Sequence, residues 1–142
     1  RLMSTQLDFA SSDWTLSTFH GAWAREMKKY QVPVNAGKVV NTWKEELFDV
    51  GGVEPTSAHP RTAVGITSDK RMIMFVCEGR NMTEGVKGMT TEEVAELLKQ
   101  LGCVEAINLD GGGSSCMLVN GIETIKVSDG SQRSLASAVM FK

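Results

Sequence analysis

The sequence predicts an α+β fold in a single domain, with a mixed or largely antiparallel sheet and packed helices. Three observations lead there. Apolar residues recur at helical spacing early in the chain, alternating runs joined by turn signals dominate after residue 60, and one strongly capped helix is embedded among those runs. A length of 142 residues with 42% hydrophobic content suits one domain, 1–142, with a real core.

From Ser12 to Tyr30 the residues Leu16, Phe19, Trp23, Met27 and Tyr30 form an apolar stripe, and Ser12 or Asp13 stands where a cap belongs, so a helix is predicted that ends before Pro33. A shorter helix is predicted over Asn41 to Val50, stopped by Gly51-Gly52. Val53 to Pro60, with its two prolines, reads as a loop. Thr62 to Thr67, the turn Ser68-Asp69-Lys70 and Arg71 to Cys77 read as a hairpin. Thr90 and Glu93 form a capping box for a helix whose apolar face is Val94, Leu97, Leu98 and Leu101 and whose terminator is Gly102. Val104 to Leu109, Ser115 to Asn120, Ile122 to Val127 and Leu135 to Phe141 are the remaining predicted strands, with a type I′ hairpin signal at Asn120-Gly121. Arg71 to Leu109 is also compatible with a single βαβ crossover.

A net charge of −2 provides no broad basic surface, so composition makes no case for nucleic acid or an anionic membrane as partner. The pair Lys28-Lys29 reads as a solvated helix face. Three cysteines, Cys77, Cys103 and Cys116, lack CxxC spacing and read as buried thiols rather than a disulfide framework or zinc site. No apolar run approaches the roughly 20 residues of a membrane helix, and no signal peptide is visible. Arg1 is not an initiator methionine, which fits a processed or trimmed chain.

The stretch INLDGGGSSCMLVNG concentrates the chemistry. Asp110 follows a strand directly, Gly111, Gly112 and Gly113 let backbone amides converge on an anion, and Ser114 and Ser115 add hydroxyl donors. The bland reading is a bulge or tight turn with solvating serines. A Walker loop is excluded because no lysine precedes the serines, a dinucleotide loop because a strand rather than a helix follows, and the G-x-S-x-G elbow is absent. His20 and His59 have no recognisable catalytic partner and read as structural. Arg61 and Arg133 each stand just before a predicted strand, where a guanidinium can meet an anion; surface solvation is the competing reading. Glu78 and Arg80, in CEGR, close another strand, and Glu78 with Asp110 makes a candidate acid/base or nucleophile pair. No His/Cys/carboxylate cluster defines a metal site, and no cofactor is expected.

HPRTAVGITSDKRMIMFVCEGR, GMTTEEVAELLKQLGCVEAINLDGGGSSCMLVNG and SDGSQRSLASAV resemble, in order and spacing, the phosphodiester glycosidase family, over His59 to Phe141. The resemblance implies hydrolysis at the anomeric carbon of a sugar-1-phosphodiester such as N-acetylglucosamine-1-phosphodiester, with a sugar-phosphate or phosphoglycan as partner. It assigns Asp110 and Glu78 as catalytic carboxylates and Arg61, Thr62, Gly111, Gly112, Gly113, Ser114 and Arg133 to substrate or phosphate binding. Glu78 stands where the family has an aspartate. Residues 1–58 match weakly, with VNAGKVVN as a faint echo, so the expectation is that part of the family's site is missing, replaced, or supplied by residues preceding Arg1. The family's usual work on exported or envelope glycans implies a secreted or cell-envelope location. The alternative from another class is a non-catalytic carbohydrate- or phosphoglycan-binding module.

Overall fold

A computed structural model describes residues 31–46, 48, 53–135 and 138–140. The helix expected over Ser12 to Tyr30 lies outside these residues. Five strands form the main sheet: β1 (Gln31–Asn35), β2 (Lys38–Val39), β3 (Arg61–Thr67), β4 (Met72–Cys77) and β5 (Cys103–Asn108), in the order β2-β1-β5-β3-β4. Every neighbouring pair is antiparallel. An α-helix, α1 (Thr91–Gln100), covers one face; β6 (Leu118–Val119) and β7 (Ile122–Glu123) make a separate two-stranded ribbon. The architecture is a mostly-sheet α+β fold.

The β3–β4 hairpin forms where the sequence places it, in register from Arg61↔Cys77 to Ile66↔Met72. β3 alternates buried and half-buried residues along its whole length, the period of two that a covered face imposes. Since β3 is antiparallel to both β4 and β5, those two run parallel, and α1 carries the chain across the strand between them. The crossover reading of Arg71 to Leu109 therefore holds in a split form, with β3 inserted.

The β1–β2 hairpin is a correction to the expected order of helices first. Ala36 and Gly37 both have positive φ, 48° and 72°, which turns the chain tightly enough to pair Val34 with Val39. Pro33 is tolerated inside β1 because it falls at a bulge: from Gln31↔Asn108 to Val34↔Ala106, β1 advances three residues while β5 advances two. Where a helix was expected over Asn41 to Val50, residues 43–46 form a turn, Phe48 is helical and buried, and residues 47, 49 and 50 lie outside the described residues.

Helix α1 starts at the predicted capping box. The Thr90 hydroxyl accepts the Glu93 amide at 3.1 Å, and the Glu93 carboxylate accepts the Thr90 amide at 2.7 Å. Its buried residues Val94, Ala95 and Leu98 meet Val34, Ala63, Phe75, Cys103 and Ala106 of the sheet. Burying Val94 and Leu98 contributes about 1.5–3 kcal/mol each. Thr90→Ala removes one half of the box and is expected to cost about 1 kcal/mol, read as a shifted urea midpoint at constant slope.

After β5 three strands fall short of expectation. Ser115 is drawn into the turn described below, so the next strand starts only at Leu118. Its partner ends at Glu123, because Glu78 captures the Lys126 amide and Val127 turns toward Gly130. The hairpin itself is as predicted, with Asn120 and Gly121 at φ 53° and 77°. Residues 135 and 138–140 belong to no strand, and Val139 and Met140 are exposed. Of the three thiols, Cys103 is buried while Cys77 and Cys116 are half-buried, and all are free.

Candidate active site

Antiparallel pairing brings three strand ends together. Arg61 opens β3 opposite Cys77 at the end of β4, and Ala63 lies opposite Asn108 at the end of β5. Glu78 and Asp110, one and two residues beyond those ends, therefore leave the sheet on the side where Arg61 and Thr62 enter it. Both carboxylate residues are half-buried.

Past Asp110 the chain tightens into a 3-10 turn over Gly112–Ser114. The Ser114 and Ser115 amides donate to the Gly111 and Gly112 carbonyls at 3.1 and 3.2 Å, and the Gly112 amide donates to the Pro60 carbonyl at 2.9 Å. The open nest of successive amides expected from the sequence is thus partly closed. Gly111 to Ser115 are all buried, and buried amides must find carbonyls where no water reaches them. Ser115 is anchored further by the Thr62 hydroxyl, which donates to its Oγ at 3.0 Å.

The glycines have a steric reason that the sequence did not show. Gly112 has φ +60°, and a Cβ on it would stand 2.9 Å from Arg80 Nη2. On Gly113 a Cβ would stand 2.3–2.4 Å from the carboxylate of Asp129. Two opposite charges therefore lie directly on the turn, in space any other residue would fill. They are paired with each other: Arg80 Nη1 is 3.5 Å from Asp129 Oδ1 and donates to Ser128 Oγ at 3.3 Å. Arg133 Nε donates to Asp129 Oδ2 at 2.5 Å, so Asp129 joins two arginines. The segment carrying Asp129 is tied down by Glu78, whose Oε1 accepts the Lys126 amide at 2.7 Å. Glu78 thus has an anchoring task alongside any chemical one.

Arg61 occupies a different layer. It is 0% exposed, and its guanidinium donates to four backbone carbonyls: Met89 at 2.9 Å, Val53 at 3.0 Å, Glu54 at 2.5 Å and Ser57 at 2.9 Å. Burial lowers its pKa to about 10, which leaves it charged at neutral pH. The loop it gathers is the one that presents the Pro60 carbonyl and the Val53 side chain to Gly111 and Gly112. Expected from the sequence to meet phosphate, Arg61 is placed behind the turn, where it shapes the wall.

Arg80 and Asp129 are the residues that sequence reasoning left without a role. Arg80 follows Glu78 by two residues and Asp129 precedes Arg133 by four, so both sat inside motifs already singled out. Only the fold shows that the two motifs meet over Gly112 and Gly113.

His59, whose backbone bridges to Met89 in both directions, adds a titration to this end of the sheet. Burial, then the charges of Arg61 and Arg80, hold its imidazole below the ordinary 6.5. The folded state therefore binds this proton less readily than the unfolded chain. The associated stability is complete above about pH 6.5 and is lost as the pH falls through the lowered folded value. His59→Gln is expected to flatten that part of the stability profile, measured as urea midpoints across the acid range.

An acid-lined depression on α1, bordered by Glu92, Glu93 and Glu96, shares no residue with this cluster and would repel an anionic ligand. Among the described residues no group of three or more His, Cys, Asp or Glu side chains is placed to hold a metal ion. Among the same residues no helix is long and apolar enough to cross a membrane.

The family model described as phosphodiester glycosidase matches residues 13–142, nearly the whole chain. The chain belongs to the phosphodiester glycosidase family. The match takes in part of the amino-terminal segment whose motifs are faint. Mouse N-acetylglucosamine-1-phosphodiester alpha-N-acetylglucosaminidase is 46% identical over 61 residues, 43% of this chain and 11% of that protein. The SPbeta prophage-derived uncharacterized protein YomE of Bacillus subtilis is 35% identical over 81 residues, 57% of this chain and 12% of that protein. The chain thus spans only about one ninth of the curated relatives it matches. The zebrafish N-acetylglucosamine-1-phosphodiester alpha-N-acetylglucosaminidase catalytic domain superposes with a TM-score of 0.54 at 26% identity, covering 68% of this chain and 33% of that one.

Proposed function

We propose that this phosphodiester glycosidase family member hydrolyses the glycosidic bond of a sugar-1-phosphodiester, releasing the sugar and a phosphomonoester. N-acetylglucosamine-1-phosphodiester, the compound in the name of the mouse and zebrafish relatives, is the first substrate to try. The observation that supports the reading is the packing of Arg80, and of Asp129 with its partner Arg133, against the turn that follows Asp110 at one end of the sheet.

The chemistry asks for that combination. A phosphomonoester leaves as a stable anion, so protonating the leaving group matters less than in an ordinary glycosidase, and charge stabilisation matters more. As the anomeric C–O bond breaks, negative charge grows on the phosphate, where Arg80, Arg133 and the Ser114 hydroxyl receive it. Positive charge grows on the ring, where Asp110 supplies the opposing carboxylate. Glu78 orders the segment that bears Arg133 and stands as the second carboxylate, while Arg61 and Thr62 support the wall and the turn. Such a substrate fits a secreted or cell-envelope setting, where phosphoglycans are displayed.

A binding module without turnover is the second reading, favoured by the amides of the turn being engaged within the protein. Calorimetry with a non-hydrolysable sugar-1-phosphonate, beside an assay for released sugar, separates the two. Release of sugar supports the enzyme; binding with no release supports the module.

A further inference from the structure

The Arg80, Asp129 and Arg133 triad has a feature that anion binding by arginine does not require: the central carboxylate presses on the glycine turn. Its oxygens lie where a Gly113 side chain would be, and it reaches Arg80 at 3.5 Å on one side and Arg133 at 2.5 Å on the other. Both arginines are substantially exposed, at 40% and 53% of their side chains, so these pairs add little to fold stability. Their consequence is geometric. Two long, many-rotamer side chains are fixed before any ligand arrives, and Arg80 Nη2 is left over Gly112 while Nη1 is held by Asp129 and Ser128.

We propose that Asp129 is a positioning residue that locks Arg80 and Arg133 against the glycine turn in the arrangement that receives the substrate phosphate. The proposal rests on the sugar-phosphodiester reading above. Gly113 is its counterpart: lacking a side chain, it gives the Asp129 carboxylate its seat. Without that seat two guanidinium groups would repel one another and each would sample solvent, and an incoming phosphodiester would have to order them itself.

Asp129→Asn keeps the size of the side chain and removes its charge. It is expected to raise KM for the diester about tenfold or more, with kcat changed far less, and to shift the melting temperature by no more than about 4 °C. Gly113→Ala leaves Asp129 chemically intact and displaces its carboxylate, and it should reproduce the KM effect. The double variant should be no worse than either single one, because both remove the same interaction. Side-chain NMR supplies a readout independent of catalysis: the Nη–H signals of Arg80 and the Nε–H signal of Arg133, which bond to Ser128 and Asp129, are expected to be protected from exchange in the wild type and lost in both variants. Arginine signals that persist in Asp129→Asn overturn the proposal, as does a KM in that variant equal to that of a wild type that turns over substrate. A wild type that releases no sugar refutes the functional reading separately, and the arginine spectra then still decide whether Asp129 fixes the pair.

Discussion

Asp110→Asn is expected to lower kcat for sugar release about a thousandfold or more, with the fold retained. The substitution is nearly isosteric and removes one negative charge at the point where β5 gives way to the buried turn. With Arg80 and Arg133 receiving the phosphate as proposed, substrate should still bind, and KM should move much less than kcat. That division would locate the carboxylate with the charge developing on the sugar ring rather than with ground-state binding. Steady-state kinetics alongside a thermal melt read both quantities. A variant with wild-type kcat would remove Asp110 from the chemistry and leave the glycine turn as its only part in the site.

Arg61→Ala should be the most damaging single change to stability among the residues discussed. Four backbone carbonyls, those of Val53, Glu54, Ser57 and Met89, lose their charged donor at once, and Arg61 is completely buried. Leaving buried acceptors unpaired costs about 1–3 kcal/mol apiece, and the carbonyls of the exposed residues Glu54 and Ser57 cost less because water can reach them. Since the loop 53–57 is free to move toward water, a net loss of about 3–4 kcal/mol is expected. For a domain of this size that lowers the melting temperature by about 10 °C. Arg61→Lys should be nearly as harmful, because a single ammonium cannot reach carbonyls arranged around a planar fork. Activity should fall with the loop, since Pro60 and Val53 would no longer back Gly111 and Gly112. An unchanged melt would mean that the carbonyls find water and that Arg61 contributes no structural support.

Elements with their own punctuation were legible from the sequence. The Thr90/Glu93 box, the Asn120-Gly121 turn and the strand over Thr62 to Thr67 are local signals, and each formed as read, the strand starting one residue earlier at Arg61. The β1–β2 hairpin was not legible, because its Ala-Gly turn is a weak signal and Pro33 argues against a strand unless the bulge opposite β5 is known. Of the strand expected over Leu135 to Phe141, the described residues, 135 and 138–140, are in none, for a related reason: alternation makes a strand only where a sheet edge is available, and edges are properties of the whole fold. The site divides in the same way. Asp110, its glycines and the arginine-bearing motifs stand out by composition. That Arg61 faces inward, and that Arg80 and Asp129 rest on Gly112 and Gly113, depends on three strand ends being brought together by residues far apart in the chain.

Cleavage of a sugar-1-phosphodiester in heavy-oxygen water tests the central claim most directly. Hydrolysis at the anomeric carbon adds the water oxygen to the sugar and leaves the phosphomonoester with its original oxygens. Labelled free sugar and unlabelled phosphomonoester are expected by mass spectrometry, with the signal lost in Asp110→Asn. Label in the phosphate would mean attack at phosphorus and a phosphodiesterase, and no cleavage of any such diester would leave the cluster without the activity proposed for it.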